Sequence, residues 1–98
     1  MQLSSVKENE TLTVSVTGRV DTKTAPEFEK YISENLSGIT ELVLDLAEVT
    51  YVSSAGLRAL LQAQKDMKKQ GSMKILHVND DVMEIFDMIG FTNIFTIE

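Results

Sequence analysis

The chain has 98 residues, 43% of them hydrophobic and 24% charged, with 15 Asp and Glu against 9 Lys and Arg and a formal net charge of −6. That balance fits one soluble globular domain, not a disordered segment, and it argues against DNA or RNA as a partner, because counterion-release binding needs clustered Lys and Arg. The absence of cysteine rules out disulfides and thiolate metal sites and suits a reducing compartment. No apolar run approaches the length of a membrane span, and Met1-Gln2-Leu3-Ser4-Ser5 lacks the basic and apolar regions of a signal peptide. A cytoplasmic protein without membrane insertion is therefore expected. A domain of this size holds one core and leaves little room for a deep substrate cavity.

Thr11 to Thr17 alternates strictly, with Leu12, Val14 and Val16 on one face and Thr13, Ser15 and Thr17 on the other, the pattern of a half-buried strand. Residues 3–7 are its expected hairpin partner across the turn Glu8-Asn9-Glu10, and Gly18 is expected to break the strand. Thr24-Ala25-Pro26-Glu27 opens a helix, with Thr24 as cap, Glu27 bonding back to it and Pro26 in the first turn. Phe28, Ile32 and Leu36 supply its apolar stripe, helped by Tyr31, and Gly38 ends it. The apolar run at 42–46 reads as a strand covered on nearly both faces. A second helix is expected from about Ser54 to Gln70, ended by Gly71. Met73 to Val78 reads as a strand. Asn79-Asp80-Asp81 caps a third helix carrying Val82, Ile85, Phe86 and Ile89, ended by Gly90, and Ile94 to Ile97 reads as a last strand.

Strands separated by helices imply crossovers and a sheet with parallel members, and the opening hairpin makes that sheet mixed. Ligands and partners of such sheets usually meet the strand ends where loops enter helices.

One such junction stands out. In Thr50-Tyr51-Val52-Ser53-Ser54-Ala55-Gly56-Leu57 a strand ends and two serines sit where a helix begins. Upstream, Gly18-Arg19-Val20-Asp21 precedes Thr24-Ala25-Pro26-Glu27. Together, in this order and at these elements, the two segments resemble the STAS domain of the anti-sigma factor antagonist type. The resemblance covers nearly the whole chain. It implies an α/β fold in which a mixed sheet, opened by an N-terminal hairpin, carries its helices mainly on one face. It also implies a function without catalysis. The unphosphorylated domain binds a serine kinase that doubles as an anti-sigma factor, and so frees a sigma factor. The kinase then phosphorylates the serine before the small residue, here Ser54, and a serine phosphatase reverses the change. The partner-binding residues implied are Asp21, Thr22, Ser53, Ser54, Ala55, Gly56, Arg58 and Leu61. Ser53 stands where the family often has Asp, so this position supplies no charge here.

Serine is favoured at helix starts for capping alone. Ser53 reads as the cap, Ser54 as the phosphoacceptor. Asp21 can equally make an ordinary loop turn, while the family places an acidic residue there beside the phosphorylation site. Gly56 reads both as a packing glycine and as a contact, and Leu57 as core. At 3.6 residues per turn Leu61 lies about 20° around the helix from Ser54, with Arg58 and Lys65 on the same side, and Leu60, Ala63 and Met67 roughly opposite. Leu61 is therefore expected to be at least partly exposed. Arg58, Lys65, Lys68 and Lys69 form a solvated basic strip.

Two other function classes remain open at this point. One is an interaction subunit without a switch, such as the STAS component of a lipid transporter. The other is a hydrolase using Ser54, but Val52 stands where the Gly-x-Ser-x-Gly elbow needs glycine. His77, the only histidine, has no second ligand or base at a telling spacing, so no metal site is expected. No Gly-rich nucleotide loop is present, no cofactor is expected, and a monomer is the default.

Overall fold

The alternation that marks Thr11 to Thr17 as a strand decides where the core lies. In a computed structural model, which describes residues 1–98, β1 (Gln2–Glu8) and β2 (Thr11–Val20) form the hairpin, α1 spans Ala25–Asn35, β3 Glu41–Val52, α2 Ser54–Lys68, β4 Ser72–Leu76 and α3 Asp80–Met88, followed by a short 3-10 turn at Phe91–Asn93. The sheet order is β1-β2-β3-β4. β1 pairs antiparallel to β2, and the other two pairings are parallel, so the sheet is mixed as the element order predicts.

Register stacks the apolar positions in rows. Leu12, Leu42 and Met73 are neighbours across three strands, and so are Val14, Leu44 and Ile75. These residues join Phe28 and Ile32 of α1, Leu60, Ala63 and Met67 of α2, and Val82 and Phe86 of α3 in one buried cluster. Each such side chain contributes about 1.5–3 kcal/mol by leaving water. The opposite face carries the row Thr13, Val43 and Lys74. Val43 is buried but lies outside the cluster. The helices thus sit on one face.

Four local expectations are corrected. Gly18 does not end its strand. It takes φ +97° and stays paired with Val49, while the register shifts at Ser15/Thr17 and Gly18/Arg19 each leave one extra residue on β3, so the partner strand carries the irregularity and pairing continues to Val20. β3 is longer than its apolar run and reaches Val52, because the ladder with β2 continues past the exposed Ala47 and Glu48 to Val49, Tyr51 and Val52. The capping box of α1 does not form. Thr24 makes no side-chain cap bond, since its hydroxyl turns to the Arg19 carbonyl and to Asp21. The last strand is reduced to a single bridge between Ile75 and Ile97. Gly90, at φ +76°, turns the chain there and Phe95 enters the core, with its ring 5.8 Å from Phe86 and 5.5 Å from Phe91.

α3 is held at both chemical levels. Asn79 caps it by accepting the Val82 N–H at 2.9 Å, and its amide donates to the Val49 carbonyl at 2.6 Å. One side chain therefore closes the helix and ties it to β3. Asn79→Ala is expected to cost about 1–2 kcal/mol in urea denaturation, and an unchanged midpoint would contradict this account of α3.

Candidate functional site

The site forms where the β2–β3 ladder runs out. Val20 is registered with Val52, so the next residues of each strand, Asp21 and Ser53, emerge side by side. The Val20 carbonyl then accepts the Ser53 N–H at 2.9 Å. Ser53 is extended, with φ −86° and ψ 177°, and caps α2 as expected by accepting the Gly56 N–H at 3.3 Å. Ser54 is the first residue of α2 and is exposed. In that position backbone N–H groups without intrahelical partners lie near the hydroxyl, and the helix dipole favours an anion.

Gly56 explains how the helix starts so close to the sheet. A Cβ there would overlap the Val20 carbonyl oxygen and come within 2.9 Å of Val52 Cγ1. Gly56 is buried, with the backbone of β2 against it, as the packing reading expects. Leu57 is core at 6% exposure. Ala55 and Leu61 are half-buried, while Thr22 and Arg58 are exposed. Leu61 therefore shows part of its side chain to solvent, as the helical angle predicts.

Asp21 folds its own loop. Its carboxylate accepts from the backbone N–H groups of Thr24 at 3.1 Å and Lys23 at 3.0 Å, and Thr24 Oγ1 lies 3.2 Å away. The Thr24 backbone bond above all holds its pKa below the ordinary 3.8, opposed by partial burial and helped by Lys23, the Thr24 hydroxyl and Arg19. Arg19 Nε is 3.5 Å from Asp21 Oδ2, an exposed pair worth little by itself. The Arg19 guanidinium also lies over the Tyr51 ring, 4.6 Å from its centre. Asp21 is thus both a turn-maker and a fixed negative charge beside the start of α2.

A feature that the sequence reading missed completes the site. Tyr51, Val52, Ser53, Ser54 and Leu57 face Ile85, Met88 and Ile89 of the α3 region across a cleft of about 220 Å³. Ile89, grouped from sequence with the apolar residues of the third helix, is 47% exposed, and Met88 is 79% exposed. Val82 and Phe86 take the buried side of α3, which leaves the positions 85, 88 and 89 as a second apolar stripe. That spacing was visible in the sequence, but one helix with two apolar stripes does not say which faces the core.

The arrangement is suited to binding, and the one histidine is engaged elsewhere. His77 Nδ1 is engaged with Asp45 at 3.1 Å. Asp45 lies seven residues before Val52 on β3, about 20 Å along an extended strand.

Comparison with known proteins agrees with this geometry. A family model described as "STAS domain" matches residues 2–98. BtrV of Bordetella bronchiseptica, which is named as an anti-sigma factor antagonist, is 31% identical over 99% of this chain and 85% of its own length. The crystal structure of an anti-sigma factor antagonist from Mycobacterium paratuberculosis superposes with a TM-score of 0.88 at 23% identity, covering 98% of this chain and 83% of that one. The Bacillus cell fate determinant SpoIIAA, solved in its phosphorylated form, superposes with a TM-score of 0.76 at 14% identity, covering 99% and 91%. Both of these structural matches speak for the fold.

Two outcomes are expected from the geometry. Gly56→Ala should destabilise the domain by about 1–3 kcal/mol, because the new methyl meets β2 backbone that cannot yield easily; equal stability would show that α2 can shift. The depressed pKa of Asp21 means that its ionised form stabilises the fold above pH 3.8 and that this contribution fades as pH falls through the lower folded value. Asp21→Asn should therefore lower stability near neutral pH and lose that effect in strong acid. A penalty that is independent of pH would contradict it.

Proposed function

The chain belongs to the STAS-domain family, and we propose that within it the protein acts as an anti-sigma factor antagonist controlled at Ser54. The unphosphorylated domain binds a serine kinase that serves as an anti-sigma factor, and the sigma factor is freed. Phosphorylation of Ser54 by that kinase ends the complex, and a serine phosphatase restores the binding form. The domain is a cytoplasmic binding module in this scheme, and the chemistry belongs to the partners.

The observation that carries this reading is the position of Ser54, whose residue is exposed in the first turn of α2 and forms part of the wall of an apolar cleft. A phosphate adds a charge of about −1.5 to −2. The helix N-terminus tolerates that charge in the free domain. A partner covering the cleft would have to desolvate the phosphate against apolar side chains, which is costly. The same modification is thus benign for the fold and adverse for the complex. Asp21, Thr22, Ser53, Ala55, Arg58 and the outer side of Leu61 surround Ser54 and are the proposed contacts. Likeness to SpoIIAA, solved in a phosphorylated form, supports the idea that this fold can carry a phosphate.

The test is direct. Incubation with an anti-sigma factor serine kinase and ATP should add one phosphate by intact mass, and Ser54→Ala should abolish the gain. The phosphorylated domain should bind the kinase about a hundredfold more weakly, equivalent to about 2.7 kcal/mol. A domain that binds the kinase equally well with and without the phosphate overturns the switch and leaves a module of constant affinity. Leu61→Ala should weaken kinase binding with folding unchanged, and an unaltered affinity removes Leu61 from the surface.

A further inference from the structure

We propose that the cleft between α2 and α3 receives an apolar side chain of the kinase and that the acidic face of α3 pairs with Lys or Arg flanking that side chain. This rests on the reading above of the partner as an anti-sigma factor serine kinase, and it names the surface and chemistry by which that kinase is held.

The first observation is apolar exposure without structural return. The large hydrophobic residues most open to water are Met88 at 79%, Val6 at 62%, Ile89 at 47%, Ile94 at 44% and Tyr51 at 39%. Three of these five, Met88, Ile89 and Tyr51, line the cleft that contains Ser54. α3 already buries Val82 and Phe86 completely and packs Ile85 partly against the core, while Met88 and Ile89 stay open to water. Clustered exposure of this kind marks interaction surfaces, and methionine adapts its shape to an incoming side chain.

The second observation is charge. From Val78 to Glu98 the chain carries Asp80, Asp81, Glu84, Asp87 and Glu98 and no Lys or Arg. On α3 Asp81 lies one turn before Ile85, and Glu84 one turn before Met88, so carboxylates border the apolar wall directly. No Lys or Arg lines the cleft itself. A second copy of this chain would bring acidic α3 faces together in a protein of net charge −6. An apolar anchor with basic neighbours satisfies both the cleft and its lip.

The two parts of the surface then do different work. The anchor supplies most of the affinity, in the manner of a buried hot spot. The acidic lip steers association. A phosphate on Ser54 stands on the wall facing Met88, and the anchor cannot enter without stripping its water. The release mechanism and the docking mechanism meet in the same cleft.

The experiment measures association and dissociation of a purified anti-sigma factor serine kinase without ATP, at low and high salt. The proteins compared are the wild-type domain, Met88→Ala/Ile89→Ala, Asp81→Lys/Glu84→Lys, Ser54→Asp, and a control, Glu34→Lys, on the exposed end of α1. The apolar double variant should raise Kd about tenfold or more, mainly through faster dissociation. The charge-reversed variant should slow association about fivefold or more at low salt, with the difference shrinking at high salt. Glu34→Lys should match wild type. Should the apolar double variant lose its fold, Met88→Gln alone, at an exposed position, carries the same expectation with a smaller effect. If Ser54→Asp weakens binding while both the cleft and lip variants bind as wild type, the proposal is wrong and the functional reading stands. If wild type does not bind the kinase at all, the functional reading fails and the proposal with it. If the wild-type domain self-associates in sedimentation and Met88→Ala/Ile89→Ala makes it monomeric, the cleft joins two copies of this chain and the proposal is likewise overturned.

Discussion

The Val20 carbonyl oxygen is the point from which the functional end of the molecule is built. It closes the last parallel rung by accepting the Ser53 N–H, and it occupies the space that any side chain at position 56 would need. These two facts together force α2 to begin against the end of β2. Ser53 is thereby held extended as a cap, and Ser54 is turned outward as the first helical residue. The same strand end carries Asp21, whose carboxylate is satisfied by its own loop and so stays charged where it is. A larger residue at position 56, or a β2 that stopped at Gly18, would separate Asp21 from Ser54 and dissolve the site.

Much of this was legible in the residues. Strict alternation from Leu12 to Val16 correctly placed one core-facing side of β2, and Ser53, Asn79 and Gly90 marked helix ends by their capping chemistry. The misreadings share a cause: one local signal was outweighed by a competing contact. Gly18 punctuates a strand in isolation, but it pairs with Val49 and the ladder with β3 continues past it, the extra residues of the irregular stretch lying on β3. Thr24 and Glu27 have the spacing of a capping box, yet the Thr24 hydroxyl bonds to the Arg19 carbonyl and to Asp21 in the turn just before the helix. Ile94 to Ile97 has strand composition, but Phe95 gains more from the aromatic cluster than from a ladder.

The candidate site divides in the same way. Ser54 and Asp21 could be picked out because short motifs carry them. The α3 wall of the cleft could not, because Ile85, Met88 and Ile89 are indistinguishable in sequence from a helix face that packs inward. Only the observation that Val82 and Phe86 fill the core, with Ile85 packed partly against it, shows Met88 and Ile89 to be spare. A binding function depends on such spare surface, and its residues answer to a partner absent from the chain.

A phosphate at position 54 has two separable effects. The free domain should accept it with little change, since a helix N-terminus favours an anion and Ser54 makes no contact that the core requires. The complex should not accept it, since the cleft beside it is apolar. Comparison of backbone amide NMR shifts and hydrogen exchange between the free unmodified domain and the free Ser54-phosphorylated domain tests that separation most directly. Changes confined to residues around Asp21, Tyr51 to Arg58 and Ile85 to Ile89, with unchanged protection in β1, β2 and the core of α1, are predicted. Loss of protection across the sheet, or a rearranged α1, would mean that the phosphate acts by refolding the domain and would contradict the account.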